Sequence, residues 1–251
     1  MTALGVVDWG IGGIGLVQAL DRVAPGLPVL YWSDSGALPY GRMRTGELTA
    51  RLSAVLDRLA EMGASEAVLA CNAASTVVGH LGAAAIPVHG IIDCGVASVP
   101  DAVARVGVIG GRRTIAAGHY RRGLTRPGRV VLSRVAQPLS AHIEAGRAGS
   151  AEFRADLTRI LAPLRGVQAL VLACTHYPAA RRWFSDVLPD ALLVDPVQRL
   201  AAGVADRYPQ ARRASRPAER TFVTTGDPAA MRRAALAAWG VEVAAFAVRP
   251  R

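Results

Sequence analysis

Short runs of apolar, β-branched residues alternate along the whole chain with stretches whose apolar positions recur every three or four residues. This alternation predicts strands and helices in turn, the pattern of an α/β protein whose parallel sheet is covered on both faces. Residues 46–62 predict one helix: Leu48, Leu52, Val55, Leu56 and Leu59 share a face, Thr45 is placed to cap it, and Gly63 suits the position just past its end. Residues 66–71 predict the strand that follows, and the opening MTALGVVDWG predicts the first strand. Near the other end, residues 221–225 predict a strand, Asp227-Pro228 a cap and first turn, 241–246 the last strand, and ARRASRPA at 211–218 a loop.

An internal echo adds organisation. EAVLACNAAS at 66–75 and QALVLACTHYP at 168–178 are each an apolar strand ending in Ala-Cys, then a polar residue, then a helix start, and the two cysteines are 103 residues apart. Two strand-Cys-helix units predict two similar lobes. We expect residues 1–92 plus 206–251 in the first and 93–205 in the second, with the C-terminal strands returning to the first.

In open parallel sheets, ligands bind beyond the carboxyl ends of the strands. Asp8, Asp34, Cys71 and Cys174 all fall at predicted strand ends. A cysteine at a helix N-terminus feels the positive end of the helix dipole, so both thiols are expected to lean toward thiolate, provided polar partners offset burial. Cys94 lacks such a setting and is expected to be structural. His176 is the one histidine beside a candidate thiol, whereas His80, His89, His119 and His142 are expected in packing or surface roles. No C-x-x-C or H-x-x-x-H accompanies the Cys-x-His step, which argues against zinc.

Composition narrows the setting. With 251 residues and 51% hydrophobic content, the chain is long enough to bury substantial cores. Its apolar runs are all interrupted short of the roughly 18 residues of a membrane span, and its opening lacks a basic leader, so a soluble, cytoplasmic protein is expected. Three cysteines without close pairing argue against a disulfide framework. The net charge of +10 is carried by arginine alone, scattered in pairs such as Arg112-Arg113, Arg181-Arg182 and Arg232-Arg233. Scattered pairs favour solvated side chains over a nucleic-acid surface.

Gly10, Gly12 and Gly15 spell G-x-G-x-x-G after a strand, with Asp34 about 20 residues on, the pattern of an NAD-binding oxidoreductase. Asp8 and Trp9 oppose that reading: a carboxylate would approach the pyrophosphate and an indole would crowd it.

DWGIGGIG, PYG at 39–41, ACNAAS and ACTHYP, in that order, together with GVIGGRRT before and through Thr114 and HIEAG around Glu144, resemble the glutamate racemase branch of the aspartate/glutamate racemase family over most of the chain. The resemblance implies two doubly wound parallel-sheet lobes related by pseudo-twofold symmetry, with the active site in the cleft between them. It implies cofactor-independent racemisation of an amino acid, in the D-amino acid supply to peptidoglycan, with homodimers common among relatives. Cys71 would take the α-proton from the D-isomer and Cys174 from the L-isomer, Asp8 assisting the first thiol and His176, oriented by Glu144, the second. Asn72, Thr175 and helix-start amides would hold the α-carboxylate, and Tyr40, Gly41 and Thr114 would face the side chain. Asp34, Ser35 and Pro39 complete the expected substrate-binding set.

Three positions depart from the family pattern. Trp9 and Ala73 stand where hydroxyl residues are usual, and Gly111 replaces a threonine. Each hydrogen bond lost to a charged group costs roughly 1.5–3 kcal/mol, so another α-amino acid or related acid is expected to be preferred over glutamate. The alternative is a catalytically weak racemase scaffold that binds DNA or a DNA-associated partner.

Overall fold

The computed structural model describes residues 3–249, in which ten strands form two parallel sheets. They are β1 (Ala3–Asp8), β2 (Val29–Ser33), β3 (Ala64–Leu69), β4 (Val88–Gly90), β5 (Arg105–Gly110), β6 (Val130–Val135), β7 (Ala169–Ala173), β8 (Leu192–Val194), β9 (Arg220–Thr224) and β10 (Ala245–Ala247). Met1 and Thr2 of the predicted opening strand lie outside the described residues. The first sheet has the order β10-β9-β2-β1-β3-β4 and the second β6-β5-β7-β8. The core of the first, β2-β1-β3-β4, therefore repeats the order of the second. β3 and β7, the strands of the sequence echo, hold the same place in each lobe.

Period-two side chains divide each sheet between two cores. In the first lobe Val6, Tyr31 and Val68 pack beneath the helix Ile14–Val23, while Val7, Trp32 and Leu69 face the helix Thr45–Glu61. That second helix turns Leu48, Leu52, Val55, Leu56 and Leu59 to the sheet, all fully buried. In the second lobe Leu170 and Leu172 join one core and Ala169 and Val171 the other. Strands buried on both faces read as unbroken apolar runs, which is why the echo was visible.

Local boundaries differ from expectation for identifiable reasons. Thr45 is the first residue of its helix and Arg44 the cap, because the Glu47 carboxylate reaches back to accept from the Arg44 backbone N–H at 2.8 Å. β3 starts at Ala64 and ends two residues before Cys71, and the last strand is shortened to Ala245–Ala247. Asp227 caps its helix as expected, accepting from the Ala229 and Ala230 N–H groups. The helix Pro196–Arg207, most of which lies on the second-lobe side of the expected boundary, sets Val197, Leu200 and Val204 into the first lobe's core against Ile14–Val23. We propose that the chain returns to the first lobe at Asp195 rather than near residue 205. Among the described residues, no helix is long and apolar enough to cross a membrane.

Candidate active site

Between the two sheets lies a cleft of about 1000 Å³, and both cysteines line it. Beyond β3 the N–H groups of Ala70 and Cys71 stay on Val7 O, at 3.0 and 3.4 Å, so the chain follows β1 to its end and delivers Cys71 beside Asp8. Cys174 comes directly after β7, where the tight turn closed by Tyr177 N–H on Cys174 O, at 3.1 Å, sets its direction. Cys71 rests on the core of the first lobe and Cys174 on that of the second. Two thiols from equivalent strands thus meet one space from opposite sides.

Each thiol has its own ionisable companion. On the first lobe, Asp8 is 1% exposed. Its carboxylate accepts from the Trp9 N–H at 2.6 Å and from the Thr175 hydroxyl at 2.8 Å. Burial pushes its carboxyl above the usual range, with His176 opposing. On the second lobe, His176 Nδ1 lies 3.8 Å from the Cys174 sulfur, and its Nε2 is hydrogen-bonded to Glu144. Burial by itself would favour the neutral imidazole, but the Glu144 carboxylate and the Cys174 contact more than offset it and hold His176 well above the usual histidine range.

Cys71 departs from the thiolate expected of it. Burial, and then the Asp8 charge, push its thiol well above the usual range despite hydrogen bonds from two backbone amides. The helix that follows, Asn72–Ser75, is a single turn and supplies little dipole. The shift of the Cys71 thiol is therefore upward, opposite to the direction the helix position suggested.

Of the other expected residues, Trp9, Pro39, Tyr40, Gly41, Asn72, Ala73, Gly111, Thr114 and Thr175 line the cleft. Asp34 and Ser35 do not. Asp34 is fully buried behind Tyr40, where Arg51 grips it through two nitrogens at 2.8 and 2.5 Å and the Tyr40 and Thr225 hydroxyls donate to it at 2.8 and 2.9 Å. Ser35 pairs with the Thr224 hydroxyl at 3.1 Å. Both residues hold the loop before Tyr40 in place, so they act behind the cleft wall. The Tyr40 hydroxyl proton is consequently committed to Asp34 and the Thr175 hydroxyl proton to Asp8.

Asn72 is the polar group left open. Its Oδ1 accepts from the Tyr120 hydroxyl at 2.7 Å, and its buried Nδ2 has no partner. A buried donor without an acceptor is costly, and a ligand carboxylate would satisfy it. Sequence reasoning missed Tyr120, which lies 48 residues from Asn72 and joins it from the other lobe. It also missed Arg113, whose guanidinium crosses the cleft to Thr76 Oγ1, Met43 O and Thr45 Oγ1 at 2.8, 2.8 and 3.2 Å. Arg42, Arg112 and Gln137, none of them expected as site residues, also line the cleft.

The glycine fingerprint has another explanation. A Cβ at Gly10 would lie 2.8 Å from both Glu144 carboxylate oxygens, one at Gly12 would strike Thr175 and His176, and one at Gly15 would meet the Trp239 ring at 2.6 Å. These glycines admit the second lobe and the C-terminal helix, and the space a pyrophosphate would need is filled. The NAD reading is therefore set aside on packing grounds.

Comparison with known proteins agrees with this geometry. Residues 4–204 match the family model for Asp/Glu/hydantoin racemases. The chain is 33% identical over 202 residues to a glutamate racemase of Desulforudis audaxviator, covering 77% of this chain and 74% of that one. It is 31% identical over 239 residues to a glutamate racemase of Gloeobacter violaceus, covering 92% and 90%. The structure of glutamate racemase from Francisella tularensis in complex with D-glutamate superposes with a TM-score of 0.87 at 25% identity, over 99% of this chain and 97% of that one. Two sheets of one topology, a thiol from each on a shared cleft and this breadth of similarity lead to one conclusion: the chain belongs to the Asp/Glu/hydantoin racemase family.

Proposed function

We propose that this protein is an isomerase of the cofactor-independent racemase class that inverts an α-amino acid by proton transfer between Cys71 and Cys174. The observation that carries the reading is that the two thiols, on equivalent strands of two like sheets, line one cleft, each with a separate acid–base partner. An α-proton is weakly acidic, so its removal requires a positioned base and stabilisation of the charge that develops.

Asp8 is the group suited to accept the Cys71 proton, because burial raises its carboxyl above the usual carboxylate value and so makes it a stronger base, and its charge acts on that thiol. The Cys71 thiolate then takes the α-proton of one isomer, and Cys174 returns a proton to the opposite face of the planar carbanion. His176, kept protonated by Glu144, resupplies Cys174. For the other isomer the direction reverses: Cys174, as the thiolate paired with protonated His176, takes the α-proton, and the Cys71 thiol donates its own. Each C–H bond broken is replaced by one formed, and the thiols exchange protonation states until solvent resets them. Asn72 Nδ2 supplies the donor for the α-carboxylate, held in register by Tyr120.

The substrate reading follows from Trp9, Ala73 and Gly111, which bring no hydroxyl to the cleft. Trp9 is further pinned by its indole N–H on Ala37 O at 3.0 Å, so it keeps its volume in the site. Glutamate is expected to turn over less well than another α-amino acid.

Proton NMR in D₂O tests the mechanism across a panel of D- and L-amino acids. Loss of the α-proton signal in the wild type, absent from Cys71→Ala, Cys174→Ala, is the expected result. Exchange that survives in the double variant would overturn it.

A further inference from the structure

The lobes are already tied together around the cleft. Thr175 on the second lobe donates to Asp8 on the first at 2.8 Å, Tyr120 to Asn72 at 2.7 Å, and Arg113 to Thr76 at 2.8 Å. With these ties made, about 1000 Å³ remains between the lobes. That is the upper end of the range, roughly 300–1,000 Å³, for sites that enclose drug-sized ligands. An amino acid with a short side chain would leave much of this space to water.

Much of the wall beside the thiols is apolar. On the first lobe Trp9 and Ala73 pack, like Cys71, against the hydrophobic core, so the surface of that core continues into the cleft. The Trp9 indole is held there by its N–H on Ala37 O at 3.0 Å. On the second lobe the helix Gln137–Glu144 buries Leu139 and Ile143, while Pro138, Ala141 and Ala145, at the three- and four-residue spacing of one helix face, line the cleft. All three are exposed. Both ends of this helix lie against the first lobe: a Cβ at Gly10 would be 2.8 Å from the Glu144 carboxylate oxygens, and one at Gly41 3.8 Å from Gln137 Oε1. The apolar face between those ends therefore runs along the stretch of cleft that Trp9 spans from its neighbour Gly10 to Ala37.

Several polar groups of the lining are engaged within the protein. The Tyr40 hydroxyl donates to Asp34, the Ser140 hydroxyl to Gln137 O, and the Arg113 guanidinium to Thr76, Met43 O and Thr45. Arg42 and Arg112 are exposed, where water solvates their charge. Among the described residues, Asn72 Nδ2 is the one fully buried side-chain polar atom of the lining without a partner, which suits one carboxylate, that on the α-carbon.

We propose that the substrate is an α-amino acid with a large apolar side chain, of the size of phenylalanine, which packs between the Trp9 indole and the helix face formed by Pro138, Ala141 and Ala145. This assignment deepens the racemase reading and rests on it for the α-amino acid. Burial of such a side chain is favourable in proportion to the apolar area removed from water, and an aromatic ring adds its contact with the indole. Trp9 is then a specificity determinant, and the volume it brings is part of the binding surface.

The experiment compares wild type, Trp9→Ser and Ala141→Gln with both isomers of alanine, glutamate and phenylalanine. Binding is read by calorimetry and turnover by α-deuterium uptake, with thermal unfolding as the folding control. Ala141 is exposed on its helix, so its variant keeps the test open should Trp9→Ser fail to fold. Wild type is expected to bind phenylalanine at least tenfold tighter than alanine and to exchange it with at least tenfold higher kcat/KM than glutamate. Trp9→Ser and Ala141→Gln should each cut the phenylalanine-to-alanine affinity ratio at least fivefold. Equal binding of phenylalanine and alanine, a preference for glutamate over phenylalanine, or a ratio that either folded variant leaves unchanged would overturn the proposal. Exchange of glutamate that requires both thiols would do so while leaving the racemase reading intact. Phenylalanine binding that depends on Trp9 and Ala141 with no α-exchange would instead defeat the two-thiol reading and uphold the side-chain site.

Discussion

Tyr120 reaches from the second lobe to donate its hydroxyl to Asn72 Oδ1 at 2.7 Å, and so fixes which way the Asn72 amide presents its unpartnered nitrogen. Both groups are buried, and the bond joins residues of the two lobes, so the donor for a ligand carboxylate is oriented only when the lobes are together.

Tyr120→Phe removes that orientation and keeps the ring's packing. KM should rise about tenfold, the equivalent of about 1.4 kcal/mol, with a smaller change in kcat, because the amide is lost to ground state and transition state alike. Steady-state kinetics beside a melting curve checks this. A fall in kcat at constant KM would assign Tyr120 a different role.

Asp8→Asn should abolish turnover and raise stability at neutral pH. Burial holds the folded-state carboxyl above its unfolded value of about 4, so the folded chain binds this proton more tightly. The ionised group therefore destabilises increasingly as pH rises from about 4 through the folded value, and the full penalty persists above it. Each kcal/mol recovered by the amide raises Tm by about 2–4 °C, and the gain should vanish below pH about 4. Melting curves at pH 3 and 7 provide the measurement.

The same variant should make Cys71 more reactive. The Asp8 charge is one of the causes that raise the Cys71 thiol, so its removal increases the thiolate fraction at a given pH. Iodoacetamide labelling followed by peptide mass spectrometry should show faster modification of Cys71 in Asp8→Asn than in wild type across pH 7–9. An unchanged rate would mean that burial alone governs the thiol.

His176 carries the opposite linkage. Its folded-state value lies above the unfolded value of about 6.5, so the stabilisation it shares with Glu144 is fully present below about 6.5 and is lost as pH rises through the higher folded value. Glu144→Gln should flatten the decline of Tm over that window. Imidazole resonances followed by NMR should show the His176 titration moved down in the variant.

Arg113 ties the lobes at the cleft mouth through three hydrogen bonds to the first lobe. Arg113→Met keeps much of the aliphatic stem and deletes these bonds. Amide exchange in the segments around Thr45 and Thr76 should accelerate, and KM should rise several-fold with little change in Tm.

What the chain determined by itself was whatever depends on neighbours in sequence. Strands buried on both faces announce themselves as apolar runs, so the alternation of elements and the repeated Ala-Cys endings at Cys71 and Cys174 were legible. The cap at Asp227 and the glycine after the helix Thr45–Glu61 were legible for the same reason. Contacts between segments were not. Asp34 carried every sign of a ligand group at a strand end, yet Arg51 and Tyr40 enclose it, because whether a carboxylate faces a cleft or a helix depends on what packs over it. The fingerprint glycines looked like a phosphate loop until Glu144, Thr175 and His176 occupied the space above them. Protonation was decided last: Cys71 sits where a helix dipole favours thiolate, but the helix is one turn long, and desolvation together with the Asp8 charge pushes the thiol the other way. Burial, and the partner that each buried polar group finds, are properties of the assembled lobes, and no stretch of residues read alone contains them.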